Sequence, residues 1–170
     1  GAVDVQAFCE FYIGTLTLKS PQDWEPLRQE FLSEWVVPRL CAGGKAQIKS
    51  HQNNGDRVVM TTATNRFITE LTAAYLGIQE LIATEAEIHE GLFTGRTQGV
   101  LNMREGKVTR LKSWCNAKNL QWEQLESWGY SDSINDLPLL EAVTHATVTQ
   151  GDIKLRAEAA KRGWPQIEWF

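Results

Sequence analysis

The sequence predicts an α/β fold in which a mostly parallel sheet of βαβ units follows a small helical segment. Short β-branched runs at residues 57–62, 81–84 and 146–148 alternate with stretches whose apolar residues recur every three or four positions, the rhythm of strands joined by crossover helices. The first forty residues, by contrast, contain no strand pattern. A chain of 170 residues with 42% hydrophobic and 22% charged residues has the length and composition of one globular domain with a small appendage. No apolar run approaches the roughly 20 residues that span a bilayer, and no internal repeat or low-complexity segment interrupts the pattern.

A first helix is expected at about residues 3–12, with Val5, Phe8 and Tyr12 on one face. Ser20-Pro21-Gln22-Asp23 then marks a helix start. Ser20 is the N-cap, Pro21 takes the first helical position, and Asp23 fills the capping-box position with a shorter acid. Behind it Trp24, Leu27, Phe31 and Trp35 form an apolar stripe that Pro38 limits. These elements make residues 1–40 a helical subdomain. A helix from Ala42 through Ile48 stops at Asn53-Asn54-Gly55, and the strand at 57–62 follows. Thr64 can cap a helix carrying Phe67, Ile68, Leu71, Ala74 and Tyr75, closed by Gly77. After the strand at 81–84, Gly91, Gly95, Gly99 and Gly106 separate short alternating stretches, which indicates one or two β-hairpins. A helix at 108–118, Trp128-Gly129-Tyr130-Ser131 before an acidic loop, a helix at 138–142, a strand at 146–148, a helix at 153–162 and a terminal strand at 166–169 complete an α/β core over 41–170.

Charge and cysteine usage narrow the function. Seventeen basic against 21 acidic residues give a net charge of −4, which disfavours a nucleic-acid partner. The N-terminus lacks a basic-then-apolar leader pattern. Cys9, Cys41 and Cys115 are odd in number and far apart, which suits reduced thiols in a cytoplasmic protein better than a disulfide or zinc framework. His51, His89 and His145 form no ligand pair, and the seven tryptophans are assigned to packing.

Ligands of open parallel sheets bind beyond the carboxyl ends of the strands, which singles out two segments. Thr62-Ala63-Thr64-Asn65 follows the strand at 57–62. Hydroxyls and free N–H groups at a helix start make a phosphate cradle, although a Thr there also serves as a simple cap. Ser131-Asp132-Ser133-Ile134-Asn135-Asp136-Leu137-Pro138 follows the strand at 128–131. It is either a solvated turn that caps the next helix or a set of hard oxygen donors of the kind Mg²⁺ takes.

The second segment, as Tyr130-Ser131-Asp132-Ser133-Ile134-Asn135-Asp136-Leu137-Pro138-Leu139-Leu140, resembles the fourth signature motif of the haloacid dehalogenase superfamily. Thr62 resembles the second motif and Lys107, in Arg104-Glu105-Gly106-Lys107, the third. Leu81 to Thr84 and Gly91-Leu92-Phe93-Thr94-Gly95 are similar to the phosphoserine-phosphatase-like branch, subfamily IB. The similarity runs from about Gly55 to Trp169, and residues 1–40 resemble that branch's helical cap. The resemblance implies a Rossmann-like, doubly wound, mostly parallel sheet and a Mg²⁺-dependent phosphomonoester hydrolase acting on a small phosphorylated metabolite through an aspartyl-phosphate. It makes Asp132 and Asp136 metal residues, with Asp136 in a supporting role. Thr62 and Lys107 become catalytic and, with Ala63, Thr64, Asn65 and Asn135, phosphate-binding.

The family's first motif, Asp-x-Asp-x-Thr, carries the nucleophile and is not found. Asp4 has no second carboxylate two positions on, and Gly14-Thr15-Leu16 follows Phe11-Tyr12-Ile13 where the carboxylates belong. The first strand of the fold is therefore expected to be missing through truncation, leaving the strands on either side as edges. A strand donated by a partner molecule is a second route to closure, and association of copies is compatible with it. The chain alone is expected to be inactive. A non-catalytic binding or regulatory relative is the alternative. A nucleotide-binding doubly wound domain is disfavoured, because no GxGxxG or GxxxxGK[ST] loop follows any strand.

Overall fold

Two three-stranded sheets organise the chain in the computed structural model, which describes residues 4–169. One has the order β1 (Val59–Asn65), β2 (Glu80–His89), β3 (Leu92–Gln98); the other has β4 (Trp128–Ser131), β5 (His145–Thr149), β6 (Gln166–Ile167). β1 and β2 are parallel, β2 and β3 form an antiparallel hairpin, and β4, β5 and β6 are all parallel. The mostly parallel α/β class is therefore as expected, divided over two sheets rather than running through one. β1 and β4 are each an edge of their own sheet.

The sheets fall in separate compact units. The first holds the described residues to Leu40 with Gly44–Asn102; the second holds Cys41–Gly43 with the residues from Met103 onward. The leading helices share a unit with β1, β2 and β3.

In the first unit, Asp4 caps α1 (Val5–Gly14) by accepting the N–H groups of Gln6 at 2.9 Å and Ala7 at 3.3 Å. The face of α1 that is buried carries Cys9 and Ile13, continued by Leu16 in a 3-10 turn. Phe8 and Tyr12 share a face, their ring centroids 4.8 Å apart, but that face is exposed, as is Phe11 at 72%. Both sets have helical spacing. α1 packs on β3, where Gly95 lies so close that a Cβ there would meet Thr17 at 3.3 Å and Gly14 at 3.6 Å.

Ser20 caps α2 (Pro21–Glu30) as expected: Asp23 N–H donates to its Oγ at 3.2 Å, and its hydroxyl donates to the Asp23 carboxylate at 2.6 Å. Pro26 lies inside α2, and beyond Glu30 the path loosens to a π segment (Phe31–Val36) and tightens to a 3-10 turn (Val37–Arg39). A proline without an N–H disturbs the regular ladder. The expected stripe is only partly covered, since Leu27, Phe31 and Trp35 are all exposed. α3 (Ala42–Asn53) ends as expected before Gly55.

α4 (Arg66–Tyr75) is capped by Asn65, whose Oδ1 accepts the Ile68 N–H at 3.1 Å. This corrects the assignment of the cap to Thr64. The strand runs further than its β-branched core and carries Thr64 with it, through an irregularity between Thr62 and Asn65. Glu90 and Gly91, both at positive φ, join β2 to β3, the backbone of a two-residue hairpin turn.

The second unit contains α5 (Glu105–Ala117), α6 (Leu137–Ala142) and α7 (Ile153–Arg162) around its three strands. Leu140, Ala146, Val148, Leu155 and Ala159 form its core, with Ile134, Val143 and Trp164 against them. Burial raises the thiols of Cys9 and Cys115 above their ordinary value, and nearby Glu10 and Glu123 respectively add to the shift. A raised pKa leaves little thiolate at neutral pH. Brief alkylation of the native protein is therefore expected to modify half-buried Cys41 first. Peptide mass spectrometry checks this, and early label on Cys115 contradicts the packing described.

Candidate functional site

In the first unit, the carboxyl ends of β1 and β2 are joined by one side chain. Asn102 is fully buried. Its amide Nδ2 lies 2.9 Å from Thr61 Oγ1 and 2.8 Å from the carbonyls of Thr62 and Ile82, and its backbone N–H donates to Thr84 Oγ1 at 3.3 Å. Two N–H bonds thus face three acceptors, while the buried Oδ1 has no protein partner among the described residues. Three acceptors on one side fix the amide orientation, because turning Oδ1 toward two carbonyls would set acceptor against acceptor.

Thr62 is half-buried at this end of β1, and its Oγ1 accepts the Thr64 N–H at 3.2 Å. Its hydroxyl hydrogen remains available as a donor. The remaining cradle residues divide. Ala63 has only backbone groups to offer, Thr64 is exposed, and buried Asn65 commits its side chain to the α4 cap.

In the second unit, Lys107 lies in the first turn of α5 with only 6% exposure. Burial of an ammonium demands a counter-charge, and Asp136 supplies it. Lys107 Nζ is 2.7 Å from Oδ1 and 2.8 Å from Oδ2 of Asp136, and the Ser131 hydroxyl donates to the same Oδ2 at 2.7 Å. Ser131 Oγ in turn accepts the Ser133 N–H at 3.2 Å. Asn135 is exposed and accepts from Arg104 Nε at 3.3 Å. The carboxylate of Asp132 is also exposed and makes no hydrogen bond or ion pair among the described residues. Its carbonyl accepts the Asp152 N–H at 2.8 Å. The Asp152 carboxylate accepts the N–H groups of Ile134 at 2.7 Å and Leu155 at 2.8 Å; these bonds, Ile134's first, hold its carboxyl below the usual carboxylate range.

The structure thus brings Lys107 and Asp136 together with Ser131, and presents Asp132 free on the same turn. Thr62 and the cradle stand at the end of β1 in the other unit. No group of three or more His, Cys, Asp or Glu residues able to hold a metal exists among the described residues. The donors nonetheless fit Mg²⁺, which keeps several waters and takes one or two carboxylates beside substrate oxygens. Asp132 is the carboxylate left for it, because both oxygens of Asp136 face Lys107. Asn102 and Asp152 were not singled out in the sequence. An Asn in a glycine-punctuated connection and an Asp before a helix are ordinary turn and cap residues, and their long-range partners leave no local trace.

Removing one member of a buried ion pair strands the other charge. Lys107→Met and Asp136→Asn are each expected to lower unfolding free energy by about 3–5 kcal/mol, whereas Asp132→Asn should change it by less than about 0.5 kcal/mol. Urea denaturation separates these cases, and indistinguishable midpoints would contradict the assignment. Asn102→Ala deprives two buried carbonyls of a donor and should cost on the order of 2–4 kcal/mol in the same assay; a cost near zero would show that the bridge contributes nothing.

Comparison with known proteins identifies the family. The haloacid dehalogenase-like hydrolase family matches residues 2–141. A histidinol-phosphatase of Neisseria meningitidis serogroup C is 33% identical over 174 residues, covering 99% of this chain and 77% of that protein. A phosphoserine phosphatase of Mycobacterium tuberculosis is 31% identical, covering 81% of this chain and 44% of its own length. Among solved structures, a protein of unknown function from Bordetella pertussis Tohama I superimposes with a TM-score of 0.97 at 37% identity, covering 100% of this chain and 77% of that one. A probable phosphoserine phosphatase from Vibrio cholerae shares the fold, with a TM-score of 0.70 at 14% identity over 95% of this chain and 46% of that one. The chain belongs to the haloacid dehalogenase-like hydrolase family.

Proposed function

We propose that these 170 residues are the charge-neutralising and metal-holding part of a Mg²⁺-dependent phosphomonoester hydrolase that acts on a small phosphorylated metabolite. The observation that carries the reading is the buried Lys107–Asp136–Ser131 cluster on the turn that leaves the Asp132 carboxylate free. A solvated capping turn has no need to bury a lysine, and a phosphoryl-transfer site does need fixed positive charge. The names of the relatives, histidinol-phosphatase and phosphoserine phosphatase, support a phosphomonoester of a small amino compound.

Each residue has a task in this reading. Asp132 holds the Mg²⁺, which when bound supplies positive charge to the phosphoryl oxygens. Asp136 fixes Lys107, which neutralises charge on the phosphoryl group. In the first unit the Thr62 hydroxyl and the N–H groups of Ala63 and its neighbours are donors of the kind a phosphoryl group takes, and in the second unit Asn135 offers an amide from the acidic turn. Catalysis of this kind is positioning with charge stabilisation. The nucleophilic step, in which a carboxylate attacks phosphorus, the P–O ester bond breaks and the substrate alcohol leaves, giving an aspartyl-phosphate that water hydrolyses to phosphate and the free carboxylate, belongs to the family's first motif. No Asp-x-Asp-x-Thr occurs in the sequence, so the 170 residues by themselves are assigned binding without turnover. Three unpaired cysteines support a reducing, cytoplasmic setting.

Two preparations test this reading: the 170-residue chain, and the product of the gene expressed from its natural start. Phosphate release from a panel of phosphomonoesters is expected only from the second, only with Mg²⁺, and at least about 100-fold more slowly after Asp132→Asn. Mg²⁺-dependent release by the 170 residues contradicts the division of labour. Full activity of Asp132→Asn contradicts its metal role.

A further inference from the structure

We propose that Asp152 is a positioning residue for the metal-holding carboxylate of Asp132, an inference that rests on the reading of Asp132 given above. A helix cap needs one acceptor, as Ser20 shows by meeting a single N–H of α2. Asp152 gives α7 that acceptor with Oδ1, which takes the Leu155 N–H at 2.8 Å. Its second oxygen does something a cap does not require. Oδ2 accepts the N–H of Ile134, 18 residues away, at 2.7 Å. The backbone N–H of Asp152 donates to the Asp132 carbonyl at 2.8 Å. One residue thus grips the main chain at Asp132 and again at Ile134, and the intervening backbone is fixed from outside the turn. The direction in which Asp132 presents its carboxylate follows from that grip.

The segment bearing Asp152 is itself held. A Cβ at buried Gly151 would run into Val148 and approach Arg156 Cγ at 3.3 Å. Arg156 Nε donates to the Gly151 carbonyl at 2.6 Å, and the Gln150 N–H donates to the Ile167 carbonyl at 3.2 Å. Neither side chain nor backbone has freedom to slide. Residues that orient a metal ligand typically change metal affinity by about 10- to 100-fold when replaced.

Asp152→Asn and Asp152→Ser separate the grip from the cap. Both residues cap helices about as well as Asp. Neither can meet Leu155 and Ile134 together: Asn would set an NH₂ against the Ile134 N–H, and Ser is too short. In the 170-residue chain, amide chemical-shift titration with MgCl₂ should give a dissociation constant raised about tenfold in both variants. Thermal midpoints should stay close to that of the parent, and hydrogen exchange at the Ile134 amide should accelerate. Asp132→Asn should abolish the titration. If Asp132→Asn abolishes binding but both Asp152 variants bind Mg²⁺ as the parent does, the positioning role is refuted and the reading of Asp132 stands. If Asp132→Asn binds like the parent, or the parent shows no Mg²⁺-dependent shift, the reading of Asp132 fails and this inference falls with it.

Discussion

A buried ammonium is the constraint on which the second unit turns. Lys107 reaches the interior from the first turn of α5, and without a counter-charge it would be expelled or neutralised. Asp136 meets it from the turn after β4, and Ser131 at the end of that strand adds a hydrogen bond to the same carboxylate. Three elements, the start of α5, the end of β4 and the start of α6, are therefore tied at one carboxylate. The attraction of the pair largely repays its own desolvation, so the pair is better understood as specifying an arrangement than as adding net stability. What it specifies is a turn in which one of two aspartates is consumed by the fold and the other stays open to solvent.

The first unit solves a similar problem without charge. Parallel strands end with carbonyls and hydroxyls that have no further ladder partner, and such groups are costly when buried. Asn102 collects three of them from two strands through a single amide. Thr62 is therefore held through its carbonyl while its hydroxyl is left for other use. In both units a buried polar group fixes the main chain next to an acidic or hydroxyl side chain that is itself left open, which is how a rigid scaffold presents reactive groups.

How much of this was legible in the sequence depends on how far each interaction reaches. Ser20 and its partner Asp23 are three residues apart, so the start of α2 was plain. The acidic turn was legible because its chemistry is packed into residues 131–136. Lys107 was placed through the ordered resemblance of three motifs, although its burial was not visible. Asn102 escaped because its acceptors lie 18 to 41 positions away. The buried face of α1 escaped for a different reason: residues 5, 8 and 12 and residues 9, 13 and 16 are equally periodic, and only packing with distant parts of the first unit tells which set is covered. The cap of α4 was misplaced by one residue because Thr64 and Asn65 can both cap, and the choice depends on how far β1 extends.

Backbone strain singles out the same turn from an independent direction. Four described residues other than glycine have positive φ: Glu90, Arg104, Asn119 and Gln150. Local structure accounts for two of them. Glu90 belongs to the two-residue hairpin turn with Gly91. Asn119 follows the end of α5, where the Leu120 N–H returns to the Cys115 carbonyl at 2.9 Å, a familiar left-handed helix ending. Arg104 and Gln150 have no such excuse, and each costs on the order of 1–3 kcal/mol. Arg104 leads into α5 three residues before Lys107, and Gln150 leads into α7 two residues before Asp152. Strain persists where stronger interactions over-determine the backbone. Here those interactions are the Lys107–Asp136 pair on one side and the Asp152 contacts on the other, and both close on residues 131–136. A turn that served only to cap α6 would give no reason for two neighbouring loops to be held in unfavourable conformations around it.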